Sequence, residues 1–178
     1  MGLFDRLMGR ELPERRDARR IYFRLLEQSR DPSFFGDGKF ADDYDGRIDV
    51  ITLHMAVMME RLRYEDADGK LLNQALFDEM KDDFEIALRE EGISDTGVKK
   101  RIKPMIGHFY DRLKTYTDAI QSEDPQNELT KAMVLIPASG SQTPAAKAVS
   151  DYALSFLEQL KTCDFKDIRN ARFYFPDH

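Results

Sequence analysis

The sequence predicts an all-α protein, a single-domain bundle of about six helices that ends in a short extended tail. Apolar residues recur at intervals of three and four along most of the chain, as they do on one face of an α-helix. Proline, glycine and aspartate cluster between these segments, and no convincing alternation of polar and apolar residues appears before the tail. With 178 residues, 42% of them hydrophobic, the chain is long enough for one domain with its own core.

An N-terminal segment, residues 1–16, is predicted to be distinct from a helical domain that covers residues 17–178. Its apolar residues lie on one side: Leu3, Phe4, Leu7 and Met8. Arginines stand beside them, so the segment is either a frayed terminus or a weak anchor to a membrane surface or a partner. Asp17 is expected to cap the first helix of the domain, and the Asp-Pro pair at 31–32 to end it.

The most hydrophobic predicted helix covers residues 47–63 and belongs in the centre of the bundle. It has almost no polar side, and a helix that is apolar nearly all round must be enclosed by others. Four of its side chains are expected to be buried: Ile51, Leu53, Met55 and Met58. The next helix, about residues 71–91, has apolar residues every four positions and ends at Gly92. Its outer face is expected to be acidic, with Asp78, Glu79, Asp82, Asp83 and Glu85.

Three further helices and a tail complete the predicted fold. A helix over about residues 95–120 contains Pro104, which is expected to kink it. A short helix over about residues 126–134 precedes a loop rich in proline, glycine and serine, and the last helix covers about residues 144–162. Residues 172–176, with the sequence Arg-Phe-Tyr-Phe-Pro, form the extended apolar tail.

The composition favours a protein that works in a reducing compartment and does not bind DNA. The formal net charge is −6, so the surface as a whole repels nucleic acid. Cys163 is the single cysteine, which excludes an internal disulfide and is typical of the bacterial cytosol or the mitochondrial matrix. The longest apolar run, residues 50–59, is too short to span a bilayer, and no targeting signal is recognisable. We therefore expect a cytoplasmic protein.

No arrangement of residues typical of an enzyme or a metal protein occurs in the sequence. The histidines have no glutamate three positions before them and are never four residues apart, which excludes the ligand patterns of di-iron bundles and zinc proteases. His54, on the central helix, is either a core residue satisfied by one hydrogen bond, or a ligand or proton carrier. Cys163 lies beside Asp164 near a helix end, where a thiol is a poor nucleophile. We expect no catalytic residues, no metal site and no cofactor.

A basic run departs from the acidic composition of the chain. Its residues are Lys99, Lys100, Arg101 and Lys103, with Arg112 and Lys114 further along the same predicted helix. They form either a solvated helix face or a docking surface for ribosomal RNA, an acidic partner or lipid head groups. The chain also has eight methionines, which serve either as core filler or as an adaptable surface for apolar segments.

Several separated segments resemble one known family. They read IYFRLLEQSRDPSFF from residue 21, DGRIDVITLHMAVMMERL from residue 45, and QALFDEMKDDFEIALREEGISDTGVKKRIKPMIGHFYDRLKTY from residue 74. These segments, and the final helix with its aromatic tail, are similar to the ubiquinol–cytochrome c reductase (bc1 complex) chaperone family. The resemblance covers about residues 20–178 in the right order.

The resemblance implies a non-enzymatic assembly chaperone of the respiratory chain. It would bind newly synthesised cytochrome b, a membrane protein, and support assembly of the ubiquinol–cytochrome c reductase complex. It would act with the ribosome and a small partner protein, in the cytoplasm or as a peripheral protein at the inner membrane. The alternative, from another class, is a helical carrier of a small hydrophobic ligand or haem, with His54 as the axial candidate.

An exposed apolar surface is expected on a chaperone for a membrane protein. Ile106 and Tyr110 lie off the main apolar stripe of their helix, and the tail adds Phe173, Tyr174 and Phe175. These two segments either border one groove with the basic run at its rim, or the tail covers the core and its aromatic rings are buried.

Overall fold

The structure, a computed structural model, describes residues 12–36, 38–133 and 144–177. These residues form seven α-helices and one 3₁₀ turn: α1 (Pro13–Ser29), the 3₁₀ turn (Pro32–Phe34), α2 (Tyr44–Leu62), α3 (Ala67–Glu90), α4 (Asp95–Ile120), α5 (Pro125–Ala132), α6 (Pro144–Thr162) and α7 (Phe165–Arg169). Extended pairing in these ranges is limited to one isolated bridge, between Phe35 and Phe40. The predicted all-α class is confirmed. The seventh helix, α7, is only five residues long, and its apolar pattern was too short to predict.

Helix α2 lies in the middle of the bundle and packs against α1, α3, α4 and α6. Fifteen of its 19 residues are buried, and the other four are Tyr44, Asp45 and Arg47 at its start and Met59 near its end. The four side chains expected in the core, Ile51, Leu53, Met55 and Met58, are all at most 3% exposed. The predicted central helix is therefore confirmed, and it begins three residues earlier than expected because Asp43 accepts a hydrogen bond from Gly46 N at 2.9 Å.

Helices α1 and α3 pack side by side through ion pairs as well as apolar contacts. Arg15 Nη2 lies 2.7 Å from Asp82 Oδ2, and Arg19 Nε lies 3.1 Å from Glu79 Oε2. The hydroxyl of Tyr22 donates to Asp83 at 2.8 Å. Glu79 is only 7% exposed, so the expectation of an acidic outer face on α3 is wrong for much of that face. The arginines of α1 cover it because carboxylates buried at a helix interface need cationic partners.

Asp17 has a different role from the predicted helix cap. Helix α1 already begins at Pro13, so the predicted boundary between residues 16 and 17 falls inside a helix. Asp17 is 3% exposed and pairs with Arg20 at 2.5 Å and with Arg169 at 2.7 Å. Because Arg169 belongs to α7, this buried carboxylate joins the start of the described chain to its end.

The C-terminal tail covers the core next to α1. Arg24 donates two hydrogen bonds to the carbonyl oxygen of Phe173, at 2.7 and 3.2 Å, and its guanidinium lies over the rings of Phe173 and Phe175. Phe173 is 1% exposed, whereas Tyr174 is 81% exposed. Of the two arrangements expected for the tail, the contacts of Phe173 and Phe175 match the one in which it covers the core, but the expected burial of the aromatic rings is wrong for Tyr174.

Truncating Leu53 is expected to destabilise the protein strongly. Leu53 is 1% exposed at the centre of α2, and a buried leucine replaced by alanine leaves a cavity that costs about 2–5 kcal/mol. Urea unfolding of Leu53→Ala measures this change. Leu71→Ala is the matched control, since Leu71 is 54% exposed, and it should change the free energy of unfolding by less than about 0.5 kcal/mol. A loss below about 1 kcal/mol for Leu53→Ala would contradict the central position of α2.

The Asp17 ion pairs are expected to contribute more to stability than an exposed ion pair does. Asp17→Ala removes charge-assisted hydrogen bonds to two arginines and should lower the free energy of unfolding by about 1.5–3 kcal/mol. Asp42→Ala is the control, because Asp42 and Arg47 form a pair of similar length whose side chains are 60% and 65% exposed. Its effect should stay below about 1 kcal/mol. Equal effects of the two substitutions in urea unfolding would show that Asp17 does not join the two ends of the fold.

Candidate functional site

An open cleft of about 570 Å³ lies where the first turn of α2 and the last turns of α3 meet the first half of α4. Its apolar lining comes from Tyr44, Ile48, Leu88, Pro104 and Met105. Its charged or titratable lining comes from Asp45, Glu91, Arg101 and His108. A mainly apolar concave surface with a few polar groups is the usual form of a binding site.

Three helix ends create this cleft. Asp43 caps the start of α2, and Ser94 caps the start of α4 by accepting a hydrogen bond from Gly97 N at 3.4 Å. Gly92 has φ +78°, which only glycine adopts without strain, and it ends α3 so that α4 can turn back along it. A Cβ on Gly46 would collide with the carbonyl oxygen of Ala41, so this glycine allows the preceding loop to cross close to α2.

Tyr44 links two walls of the cleft. Its hydroxyl lies 2.8 Å from Met105 Sδ, and 44% of the residue stays exposed. Partial burial raises the pKa of Tyr44 to about 12, with smaller contributions from the negative charges of Glu91 and Asp45. The phenol is therefore neutral at physiological pH, and its ring is part of the apolar lining.

Asp49, Arg112 and His108 form a polar cluster beside the cleft. Arg112 Nε donates to Asp49 Oδ1 at 2.8 Å, and Arg112 also donates to the Tyr116 hydroxyl and to the carbonyl oxygen of Ala132. His108 Nε2 lies 3.4 Å from Asp49 Oδ1. Burial raises the pKa of Asp49, although Arg112 and His108 oppose this shift. Arg112 was expected to be a docking residue, but its donors are used to hold α2, α4 and α5 together.

The basic run of α4 divides between two sides of the helix. Arg101 lines the cleft together with Pro104, Met105 and His108. Lys99 and Lys103 are four residues apart and share a face with Ile106 and Tyr110, on the side away from the cleft. Lys99, Lys100, Arg101 and Lys103 are all exposed. Within the described ranges, none of these four cations has a carboxylate close enough for an ion pair, in contrast to the arginines of α1.

The aromatic residues of the tail and those of α4 contact different helices. Phe173 and Phe175 pack on Phe156 of α6, with ring centroids 6.0 and 4.9 Å apart. Tyr110 instead packs on Phe77 of α3 at 4.9 Å, and Ile106 is half-buried. The described ring contacts of the two segments therefore share no partner helix and give no support to one groove. Sequence reasoning missed the cleft because its lining residues come from three separate segments that no periodic pattern connects.

Comparison with known proteins identifies the family. Residues 37–175, more than three quarters of the chain, match the sequence model described as ubiquinol–cytochrome C chaperone. The chain belongs to the ubiquinol–cytochrome c chaperone family. A crystal structure of the Cbp3 homolog from Brucella abortus is similar, with 26% sequence identity and a TM-score of 0.76, over 98% of this chain and 95% of that chain. No curated protein matches the chain.

The resemblance noted in the sequence is thus confirmed. In the part of the chain that the structure describes, no three histidine, cysteine or acidic residues are grouped as a metal site would require. Burial raises the pKa of the Cys163 thiol, with Asp167 adding to the shift, so thiolate is scarce at neutral pH. No helix among the described residues is both long and apolar enough to cross a membrane.

His54 of this family member is built into the core. Nδ1 lies 2.8 Å from the carbonyl oxygen of Val50, and Nε2 lies 2.9 Å from the Tyr152 hydroxyl. Since a carbonyl oxygen only accepts, Nδ1 carries the proton in the neutral ring and Nε2 accepts from Tyr152. The rings of Phe34, Phe156 and Phe175 lie 5.2–6.2 Å from the imidazole. An axial haem ligand needs a free ring nitrogen, and both nitrogens of His54 are engaged.

Removing the Tyr152 hydroxyl is expected to destabilise the chaperone. Tyr152→Phe leaves Nε2 of His54 buried without this partner, which costs about 1–3 kcal/mol. Tyr174→Phe is the control, because Tyr174 is 81% exposed and its hydroxyl group is free to bind water. Urea unfolding gives both values. If Tyr152→Phe is neutral and haem added to the wild type gives a His54-dependent absorption band, His54 is a ligand and not a core residue.

Proposed function

We propose that this chain is a non-enzymatic chaperone that binds newly synthesised cytochrome b and supports assembly of the ubiquinol–cytochrome c reductase complex. Membership of the chaperone family supports the general role. The cleft between α2, α3 and α4 supports a client site, because a chaperone for a membrane protein needs apolar surface that its own core does not use.

The cleft suits an apolar segment that must be bound and later released. Tyr44, Pro104 and Met105 present apolar surface at its mouth, and methionine adapts to side chains of different shape. Burying one large apolar client side chain contributes about 1.5–3 kcal/mol, so a cleft that takes two or three of them binds firmly but reversibly. A binding free energy of this size shields the client segment and still allows it to dissociate when a competing subunit or a cofactor binds the client.

Charges at the mouth of the cleft would orient the client. Asp45, Glu91 and Arg101 all line the cleft and are exposed, and all three charges act on the Tyr44 hydroxyl. An apolar segment flanked by charged residues would match these groups, because its basic residues would meet Asp45 and Glu91 and an acidic one would meet Arg101. Loops that flank transmembrane helices commonly carry such charges, whereas the interior of a transmembrane helix does not. We therefore propose that the client segment is the end of a transmembrane helix together with its flanking loop.

A photo-crosslinking residue in place of Tyr44 is expected to capture newly synthesised cytochrome b. The same residue in place of Tyr64 is the matched control, because Tyr64 is 67% exposed and follows the end of α2 opposite to Tyr44. Crosslinks are detected in cells that express both proteins, by mass spectrometry of the tagged chaperone. Cytochrome b crosslinked equally from both positions, or from neither, would contradict a client site in the cleft.

Met105→Asp provides an independent test of the same site. A carboxylate in the apolar lining should lower cytochrome b capture from position 44 at least tenfold, because the client would have to desolvate that charge. Leu71→Asp is the control, since it adds the same charge at an exposed position outside the cleft. Both variants should remain folded in urea unfolding. Unchanged capture by folded Met105→Asp would place the client elsewhere.

A further inference from the structure

The face of α4 that points away from the cleft has a mixed basic and apolar stripe. Lys99, Lys103, Ile106 and Tyr110 are spaced by four, three and four residues, so they lie in one row along the helix. At 1.5 Å per residue this row is about 16 Å long. Cations thus lie at one end of the row and apolar side chains at the other, on the same helix.

The apolar side chains of this stripe remain partly exposed to solvent. The Tyr110 ring lies on the Phe77 ring of α3, with centroids 4.9 Å apart and planes inclined by 31°. This contact fixes the direction of the Tyr110 ring but leaves 49% of the residue exposed. Ile106 is half-buried beside it, one turn closer to the lysines. The core therefore does not use all of this apolar surface.

The cations of the stripe are not neutralised by the acidic residues around them. Asp95, one turn before Lys99, pairs with Arg89 at 3.6 Å. Glu85 of α3 pairs with Lys81 and Arg89, at 3.7 and 3.2 Å. Among the residues that the structure describes, no carboxylate lies within ion-pair distance of Lys99 or Lys103. The stripe is thus a local positive surface on a chain whose net charge is −6.

We propose that this stripe, Lys99, Lys103, Ile106 and Tyr110 with Phe77 beneath it, binds the surface of an anionic lipid bilayer. Lysines pair with lipid phosphates, while tyrosine and isoleucine enter the boundary between head groups and acyl chains. A nucleic acid or an acidic protein would also accept the lysines and the tyrosine ring. The bilayer is favoured because an aliphatic and an aromatic side chain stand beside the cations on one helix face, the combination that enters the boundary between head groups and acyl chains. The proposal goes beyond client binding and does not depend on it.

In this proposal the two sides of α4 have different functions. The cleft is on the side that carries Arg101, Met105 and His108, and the stripe is on the other side. Contact with the bilayer through the stripe would leave the cleft open. An emerging membrane segment would then be within reach of the cleft while the protein stays at the surface.

A single tryptophan can report on this contact, because the chain contains no tryptophan. In Tyr110→Trp the indole replaces the phenol on Phe77. With vesicles of phosphatidylcholine and phosphatidylglycerol we expect a blue shift of its emission and quenching by brominated acyl chains, and neither with pure phosphatidylcholine. Tyr174→Trp is the matched control and should show no shift. Absence of a shift in Tyr110→Trp, or the same shift in both variants, would overturn the proposal.

Charge variants separate a lipid surface from other anionic partners. Lys99→Gln with Lys103→Gln should weaken vesicle binding by on the order of 30-fold, from about fivefold for each lysine removed at an anionic surface. Lys147→Gln with Lys161→Gln removes the same net charge from α6 and should leave binding unchanged. Ile106→Ser with Tyr110→Ser should also weaken vesicle binding. If that last pair has no effect, and the lysine pair weakens binding to ribosomes or RNA instead, the stripe binds nucleic acid and the lipid proposal is wrong.

The client assay distinguishes failure of this proposal from failure of the proposed function. Cytochrome b capture from position 44, measured in detergent without vesicles, should be the same for the wild type and for the lysine pair variant. Loss of vesicle binding with retained capture supports two separate surfaces. If the folded lysine pair variant loses both vesicle binding and cytochrome b capture, the stripe belongs to the client site and its assignment to lipid is wrong.

Discussion

The fold depends on the burial of α2 on nearly all sides. A helix with 15 of its 19 residues buried contributes to the hydrophobic core on nearly every side, and it does so only because α1, α3, α4 and α6 all pack against it. None of these neighbours shields α2 alone. The remaining helices are therefore arranged around it, and the cleft appears where two of them separate near its first turn.

Polar residues within α2 determine which neighbour occupies which side. Asp49 pairs with Arg112 of α4, His54 binds Tyr152 of α6, and Arg61 donates to the carbonyl oxygen of Leu160 at 2.9 Å. Apolar contacts tolerate several arrangements of similar helices, whereas a buried polar atom left without its partner costs about 1–3 kcal/mol. These three polar contacts favour one arrangement of the helices around α2. The same arrangement sets the position of α4 beside the cleft.

Two basic runs that look alike in the sequence have different roles. The arginines of α1 pair with buried or interfacial carboxylates of α1, α3 and the carbonyl groups near the C-terminus. Among the exposed cations of α4, Arg101 lines the cleft, whereas Lys99 and Lys103 belong to the stripe. Arginine suits the first role because its planar fork makes several fixed hydrogen bonds, and lysine suits an exposed anionic surface because it acts as a mobile point charge.

The sequence by itself determined the helical class, the position of the central helix and the family. These properties follow from the spacing of apolar residues and from segments in a fixed order, which are local or linear features. It did not determine the partners of Asp17 and Arg112, the burial of Glu79 or the cleft. Many of these contacts join residues far apart in the sequence, such as Asp17 and Arg169, 152 positions apart, or Tyr44 and Met105, 61 positions apart. Only tertiary packing brings such residues within hydrogen-bonding distance, and burial then decides which charges must pair and which remain exposed.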